Sequence, residues 1–367
     1  MISENLDVSN AKKIWFTIPE ENNRNGIVKV VINLVDVLRK TGRYKISVVV
    51  LGPKRNSIDV FPDTVVYHMV EKQNMTKLGK MVAIWKGLKK LFAQDQPDVL
   101  IVSAMEFVPV VALHMLNLRH TKMIAWEHRH FHACPLFRLE WFGKRIAMYW
   151  WDAVICLTKK DFEQYNHSFF LKAELHQIYN LTTCNIERVQ YNAQSRRIMS
   201  CGYLSHIKGF DLLLEVAAKV FKEYPEWRWD IYGEGEERKK LEKLIAQYGL
   251  EKYVCLKGYS THISDLYRNY GVFVFTSRAE GLGMVLVEAL RAGIPVVSFD
   301  ICCGPSDVVK DGINGYLVRP FDLNDMAKKI KKLIYQKELR VRFYKNSEVG
   351  LSEFDEKYII TKWEKIL

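Results

Sequence analysis

The 367-residue chain lacks any apolar run of about 18 residues or more, so no transmembrane helix is expected. Its opening stretch, MISENLDVSNAKK, has neither a basic start nor an apolar centre, so no secretory signal is expected there. Cysteines are few and scattered, at positions 134, 156, 184, 201, 255, 302 and 303, and no C-x-x-C occurs. This argues against a disulfide framework and points to buried or free thiols in a reducing cytosol. No low-complexity segment is present, and no sequence repeat can be shown. Acidic residues are in deficit, 42 Asp and Glu against 54 Lys and Arg, which gives a formal charge of +12. The excess is steeper over residues 1–190. Such a field favours anionic partners such as lipid headgroups or nucleotides, and it also serves plain solubility. Nucleic acid would suit the charge, but no nucleic-acid-binding motif is found, so none is expected as a partner.

What the chain does have is a βα rhythm, carried twice. Apolar runs at 13–18, 44–52, 97–104, 122–128 and 153–158 alternate with amphipathic stretches at 28–42 and 75–94. Continuous apolar strands between helices predict a parallel sheet covered on both faces. The pattern restarts at 196–204 and continues through 227–233, 254–258, 271–277, 295–300 and 315–320. Residues 181–195 are polar and aperiodic and read as a linker. The expected organisation is a first Rossmann-like domain over 1–180 and a second over 196–350. A helix at 351–367 follows, free to cross back to the first domain. Ligands of open α/β sheets bind outside the carboxyl ends of the strands, so a cleft between two such domains is the default site.

The most informative stretch is TSRAEGLGMVLVEALRAGIPVVSFD, residues 276–300. A strand runs into a glycine loop, and a helix starts near Gly283. Free amides at Gly283, Met284 and Val285 and the positive end of the helix dipole suit a phosphate. Gly281 and Gly283 let a ligand approach the backbone. Glu280 precedes this helix end and Glu288 lies roughly 7 Å further along the axis, with its side chain tilted back. Carboxylates accept hydrogen bonds from hydroxyls. Hydroxyls on both sides of a phosphate bridge describe a nucleotide sugar. Read alone, Glu280 could be a dipole-complementing charge and Glu288 a solvated helix residue; the glycines and the preceding strand favour the ligand reading.

The same stretch resembles the E-x7-E signature of retaining glycosyltransferases of family 4, which have the GT-B fold. CGYLSHIKGFDLLLEV (201–216), DIYGEGEERKKLEKL, VCLKGYSTHISDLY and GPSDVVKDGINGYLV resemble further segments of that family in order and spacing. The match covers nearly all of 196–330. Over 1–180 it is topological, apart from WEHRHF and the IYN at 178–180. The resemblance implies two Rossmann-like domains facing across a deep cleft. It implies a hexose moved from a nucleotide diphosphate sugar, most readily a UDP-sugar, to a saccharide acceptor with retention of configuration. Glu280 would hold hydroxyls of the transferred sugar and Glu288 those of the ribose. Backbone amides at Leu282, Gly283, Met284 and Val285 would meet sugar and phosphate. Lys208 would neutralise the departing diphosphate, Gly258 and Tyr259 would receive the base, and His128 would face the transferred sugar. Two departures stand out. Tyr203 replaces the family's arginine, which leaves Lys208 to act alone or with Arg278. The N-terminal glycine pair is reduced to Gly26 in NRNGIVKV, on the acceptor or phosphate side.

Competing signals are weaker. His128, His130 and His132 would share a face if they lay on a strand, which invites zinc, but no fourth ligand is evident and no metal is expected. YGEGEER resembles a dinucleotide fingerprint but has Arg238 at the third glycine. A sugar epimerase or phosphorylase on the same fold stays open, as does a non-catalytic nucleic-acid binder. The 75–94 helix carries Lys77, Lys80, Lys86, Lys89 and Lys90 beside Met81, Trp85, Leu88 and Phe92. That is either a core-facing helix with a wet basic face or a membrane-surface contact. The aromatic FRLEWFGKRIAMYWW (137–151) adds weight to the membrane. Enzymes of the resembled family often extend lipid-linked sugars for surface polysaccharides. A cytoplasmic protein, peripheral on an anionic inner leaflet, with a lipid-linked acceptor and no cofactor, is the expectation.

Overall fold

The computed structural model describes residues 11–20, 26–53, 61, 64–70, 75–133, 137–168, 171–182, 186, 188 and 190–367. The chain forms two units. One comprises Met1–Thr183 with Glu356–Leu367, the other Cys184–Asp355.

The first unit is a seven-stranded parallel sheet. Its strands are β1 (Lys12–Ile18), β2 (Tyr44–Pro53), β3 (Val65–Val70), β4 (Val99–Val102), β5 (Lys122–Trp126), β6 (Ala153–Cys156) and β7 (Glu174–Gln177), in the order β3-β2-β1-β4-β5-β6-β7. The helices are α1 (Gly26–Lys40), α2 (Lys77–Gln94), the short α3 (Val108–Ala112), α4 (Leu139–Trp150) and α5 (Lys159–Asn166). β4 (VLIV) and β6 (AVIC) are buried at every position, as central parallel strands covered on both faces must be. Thr76 starts α2 by accepting from the Gly79 amide at 3.2 Å, and Thr158 starts α5 by accepting from the Asp161 amide at 3.0 Å. The chain's last helix, α13 (Glu356–Ile366), belongs to this unit. Trp363 packs edge-on against Trp126 with ring centroids 4.8 Å apart, and Lys362 donates to the Gln177 carbonyl at 2.9 Å.

The second unit is a six-stranded parallel sheet, β8 (Arg197–Cys201), β9 (Arg228–Tyr232), β10 (Val254–Gly258), β11 (Val272–Phe275), β12 (Val296–Phe299) and β13 (Gly315–Val318). Its order is β10-β9-β8-β11-β12-β13. The helices are α6 (Phe210–Phe221), α7 (Arg238–Gln247), α8 (Ile263–Leu266), α9 (Met284–Arg291), α10 (Pro305–Val308), α11 (Leu323–Tyr335) and α12 (Lys337–Lys345). Leu213, Leu214, Ala217 and Val220 of α6 and Met326, Ile330 and Leu333 of α11 bury a helical stripe in one core with Ile198, Trp229 and Val274. Burial of each large apolar side chain contributes about 1.5–3 kcal/mol. In both sheets the chain order reverses beside the first strand of the unit. These reversals, β1/β4 and β8/β11, are the switch points where loops diverge and open sheets bind ligands.

The three histidines do not follow the strand that would align them. β5 ends at Trp126, and Phe131–Ala133 form a 3-10 turn. His128, His130 and His132 therefore do not sit on a strand and do not share a pleat face. The Glu127 amide still donates to the Ile155 carbonyl at 2.9 Å, and beyond it the chain turns locally, with Glu127 Oε1 accepting from the Arg129 amide at 3.0 Å.

Candidate active site

At the β8/β11 switch point of the second unit, two loops meet. After β8 comes a 3-10 turn, His206–Lys208, closed by Gly209 in the left-handed region at φ 66°. After β11 comes 276–283, which leads into α9. Gly209 is required twice over: by its positive φ, and because a Cβ there would lie 2.1 Å from the Thr276 carbonyl oxygen. This contact sets Lys208 beside Glu280, with Nζ 2.6 Å from Oε1. Ser277 Oγ donates to the same oxygen at 2.7 Å. The pair is largely sheltered, with side chains 28% and 11% exposed.

Arg278 is ion-paired beside this turn. Its two terminal nitrogens fork onto Asp211 Oδ1 and Oδ2, each at 2.7 Å, and Nη1 also donates to the His206 carbonyl at 2.8 Å. Its amide donates to the Ile207 carbonyl at 2.7 Å. The guanidinium is thus engaged with the turn that carries Lys208. Burial pushes the Asp211 carboxyl up, but the Arg278 hydrogen bonds and charge more than offset this and leave its pKa lowered.

Gly283 caps α9 in the left-handed region at φ 81°, with no side-chain cap. A helix so started leaves the Met284 and Val285 amides without intrahelical acceptors. The Leu282 carbonyl is packed against Gly304 so closely that a Cβ at 304 would stand 2.3 Å from it. The amide-bearing loop Gly281–Gly283 is therefore backed by a second loop. Glu288 is 8% exposed on α9. Tyr267 Oη donates to its Oε2 at 3.4 Å, and Cys201 lies 3.9 Å from the same hydroxyl. Burial and the Glu288 charge push the Cys201 thiol up to about 12, so it is a protonated, inert thiol. Burial raises the Tyr267 phenol as well.

The remaining predicted residues of this unit lie on neighbouring loop ends. Gly258 closes β10 at φ 79° and pairs with Gly233, whose amide donates to its carbonyl at 2.9 Å. Tyr259 is exposed beyond it. Tyr203, in the arginine position, is also exposed, and a hydrogen bond and the charge of Glu236 raise its phenol pKa. Its hydroxyl is directed to a carboxylate, so it does not stand in for a fixed cation. His206, Asp211 and Glu237 bring ligand atoms within 4.8 Å of one another. Arg278 occupies both Asp211 oxygens and Lys240 lies 2.9 Å from Glu237 Oε1, a donor set that does not suit a cation.

In the first unit, the β1/β4 switch point carries a small cleft whose lining includes Ile27, Ser103, Glu106 and His128. Burial raises the Glu106 carboxyl. Burial lowers the His128 imidazole to about 3, so it is neutral at ordinary pH. Its ring lies against that of Trp126, centroids 4.5 Å apart and planes tilted by 45°. Its Nε2, Ser103 Oγ and Thr17 Oγ1 are buried polar atoms with no hydrogen-bond partner among the described residues. Unpaired polar groups of this kind are costly unless something polar meets them. Gly26 opens α1 with open space around its Cα; residues 23–25 of the NRNGIVKV stretch fall outside the described residues.

Sequence reasoning did not single out Ser277, Asp211, Tyr267, Gly304 or Glu106. Asp211, Tyr267 and Gly304 lie more than ten residues from Arg278, Glu288 and Leu282, and only the fold joins them.

Residues 185–349 match the family described as Glycosyl transferases group 1, and residues 24–183 match Glycosyltransferase Family 4. A relative in Haemophilus influenzae, an uncharacterized glycosyltransferase, is 29% identical over 97% of this chain and 100% of its own. The poly(ribitol-phosphate) alpha-N-acetylglucosaminyltransferase of Staphylococcus aureus is 38% identical over 44% of this chain, which spans only 34% of that protein. Among solved structures, the pneumococcal O-GlcNAc transferase GtfA in complex with UDP and GlcNAc superposes with a TM-score of 0.79 at 17% identity, covering 97% of this chain and 98% of that one. With two switch-point sheets, an E-x7-E helix start and these matches across both halves, the chain belongs to the family 4, group 1 glycosyltransferases and has their GT-B fold.

Proposed function

We propose that this protein transfers a hexose from a UDP-sugar to a saccharide acceptor, with retention and without a metal ion, in the assembly of a cell-surface polysaccharide. The observation that carries the reading is the Lys208–Glu280 pair, 2.6 Å apart at the β8/β11 switch point beside the uncapped start of α9. Cleavage of the sugar–phosphate bond puts negative charge on the leaving diphosphate and positive character on the sugar. Lys208 and the Met284 and Val285 amides supply fixed positive charge for the first, and Glu280 accepts from sugar hydroxyls. The buried Glu288 takes the ribose hydroxyls, and the Gly258–Tyr259 turn takes the base. With Arg278 tied to Asp211, Lys208 carries the diphosphate without its help. These groups do the work that a divalent ion would otherwise do, so the reaction runs without one. Attack comes from the face that the diphosphate leaves.

The unpartnered polar atoms at the β1/β4 switch point of the first unit suit acceptor hydroxyls. Neutral His128 is a hydrogen-bonding group for a sugar and not a strong acid. The GtfA structure contains UDP, which supports a UDP-linked donor, and the Staphylococcus relative is named for a polyol-phosphate polymer, which supports a polymeric acceptor. No helix among the described residues is long and apolar enough to cross a membrane. The acceptor is read as lipid-linked, met by a peripheral protein on an anionic surface through basic residues that include the exposed Lys86, Lys89 and Lys90 of α2.

A thermal-shift screen with UDP-, GDP-, ADP- and dTDP-sugars tests the donor. UDP-sugars are expected to raise the melting temperature most, and a specific response to another nucleotide alone would overturn the donor assignment.

A further inference from the structure

Helix α4 has two faces with different work. Its inner edge builds the cleft of the first unit. Gly143 lies against the Met105–Phe107 turn so tightly that a Cβ would stand 1.9 Å from the Met105 carbonyl oxygen. Lys144 is buried beside Glu127, with Nζ 2.9 Å from Oε2, and donates to the carbonyls of His130 and Phe131 at 3.2 and 2.9 Å. The inner edge thus grips the turn that holds Glu106 and the loop that holds His128.

The outer edge is apolar and uncovered. Phe137 is 76% exposed and Trp150 61%, with Leu139, Phe142 and Tyr149 exposed between them. Phe142, Tyr149 and Trp150 recur at helical spacing along about 12 Å of helix. Cations border this row: Lys172 lies 3.8 Å from the Tyr149 centroid, Arg145 4.9 Å from that of the half-buried Trp141 beside it, and Arg138 is exposed at the helix start. Glu140 is the one acidic residue between 137 and 151, and it is turned to Arg129 at 3.3 Å. Aromatic rings with basic tips are the composition of a helix lying in a headgroup zone. A protein partner could also cover apolar rings, but the cationic border selects an anionic surface.

We propose that the outer face of α4 inserts in the interface of an anionic bilayer, so that the cleft on its inner edge opens where a lipid-linked acceptor presents its sugar. This rests on the reading above that the acceptor is lipid-linked, and it assigns the contact to the rings of α4 rather than to the lysines of α2 alone.

The test is sedimentation of the full chain with vesicles of 70% phosphatidylcholine and 30% phosphatidylglycerol, comparing Phe142→Ser with Trp150→Ser combined against wild type. The double variant is expected to lose about tenfold or more in partitioning. Its UDP-induced melting shift and its turnover on a soluble acceptor sugar should stay unchanged, which shows that it folds. A second readout is quenching by brominated lipid, expected for wild type and reduced in Trp150→Phe. Equal partitioning of the double variant and wild type would overturn the proposal. If charge reversal at Lys86, Lys89 and Lys90 alone abolished binding, the membrane reading would stand and the α4 assignment would fall. If wild type ignored these vesicles, both would fall. A concentration-dependent dimer dissolved by the same double substitution, with vesicle binding untouched, would give the face to a second copy and also overturn the proposal.

Discussion

Arg278→Ala should loosen the turn that presents Lys208 without removing a donor contact. The guanidinium makes two 2.7 Å bonds to Asp211 and one 2.8 Å bond to the His206 carbonyl. Charge-assisted bonds are worth about 1.5–3 kcal/mol each when broken from one side. The two side chains are 22% and 20% exposed, so solvent screens part of this. A loss of about 2–3 kcal/mol follows, or roughly 4–10 °C in Tm for a unit of this size. Differential scanning fluorimetry reads the stability, and calorimetry with free UDP reads the nucleotide end. The expected result is a lower Tm, UDP affinity close to wild type, and reduced turnover at saturating donor because Lys208 is no longer held. An unchanged Tm with UDP affinity lost would refute this and return Arg278 to the diphosphate. A pH dependence accompanies it. The Asp211 carboxyl is lowered in the folded protein, so its stabilisation is full above the unfolded value near 4 and is lost as pH falls through the folded value. Without Arg278 that acid-sensitive component should shrink.

Other outcomes follow from the same geometry. Lys208→Ala should cost about 3–4 kcal/mol of barrier with the fold intact, by analogy with a lost oxyanion donor; near-normal turnover would contradict the assignment. Activity should survive a strong chelator, and loss that manganese or zinc restores would revive metal chemistry. Gly304→Ala should lower stability by about 2–3 kcal/mol in urea unfolding, because the new methyl meets the Leu282 carbonyl in a left-handed backbone; an unchanged midpoint would refute the packing. His128 binds a proton in the unfolded chain below about pH 6.5 but not in the folded one until about 3. Stability should therefore fall as pH drops from 6.5 toward 3, and His128→Asn should flatten that decline.

The central strands were legible because parallel strands buried on both faces read as uninterrupted apolar runs: VLIV, AVIC, VFVF and VVSF all lie inside predicted strands. Two strands escaped sequence reading, β3 and β7. Both are sheet edges. β7 reads ELHQ, with no position fully buried, so its composition carries no strand signal. The start of α9 at Gly283 was legible because glycine at a left-handed helix start leaves a mark in sequence. The Asp211 partner of Arg278 was not, because it lies 67 residues away and charge alone does not say which carboxylate an arginine meets. The aromatic run 137–151 was read only as weight for a membrane contact, and its sequence does not say which residues turn inward. Lys144, charged and central in that run, is buried.

In the proposed site one ligand is held at a sugar end by Glu280 and at a ribose end by Glu288. The most direct measurement is calorimetry with free UDP and GDP on Glu280→Gln and Glu288→Gln, alongside kinetics on the preferred donor. Glu288→Gln should weaken nucleoside diphosphate binding about tenfold, the worth of a hydrogen bond to a buried charge. Glu280→Gln should leave that binding nearly unchanged and lower turnover, because it meets the sugar where charge develops. If both variants lost nucleoside diphosphate affinity equally, or neither lost anything, a sugar end and a ribose end would be contradicted.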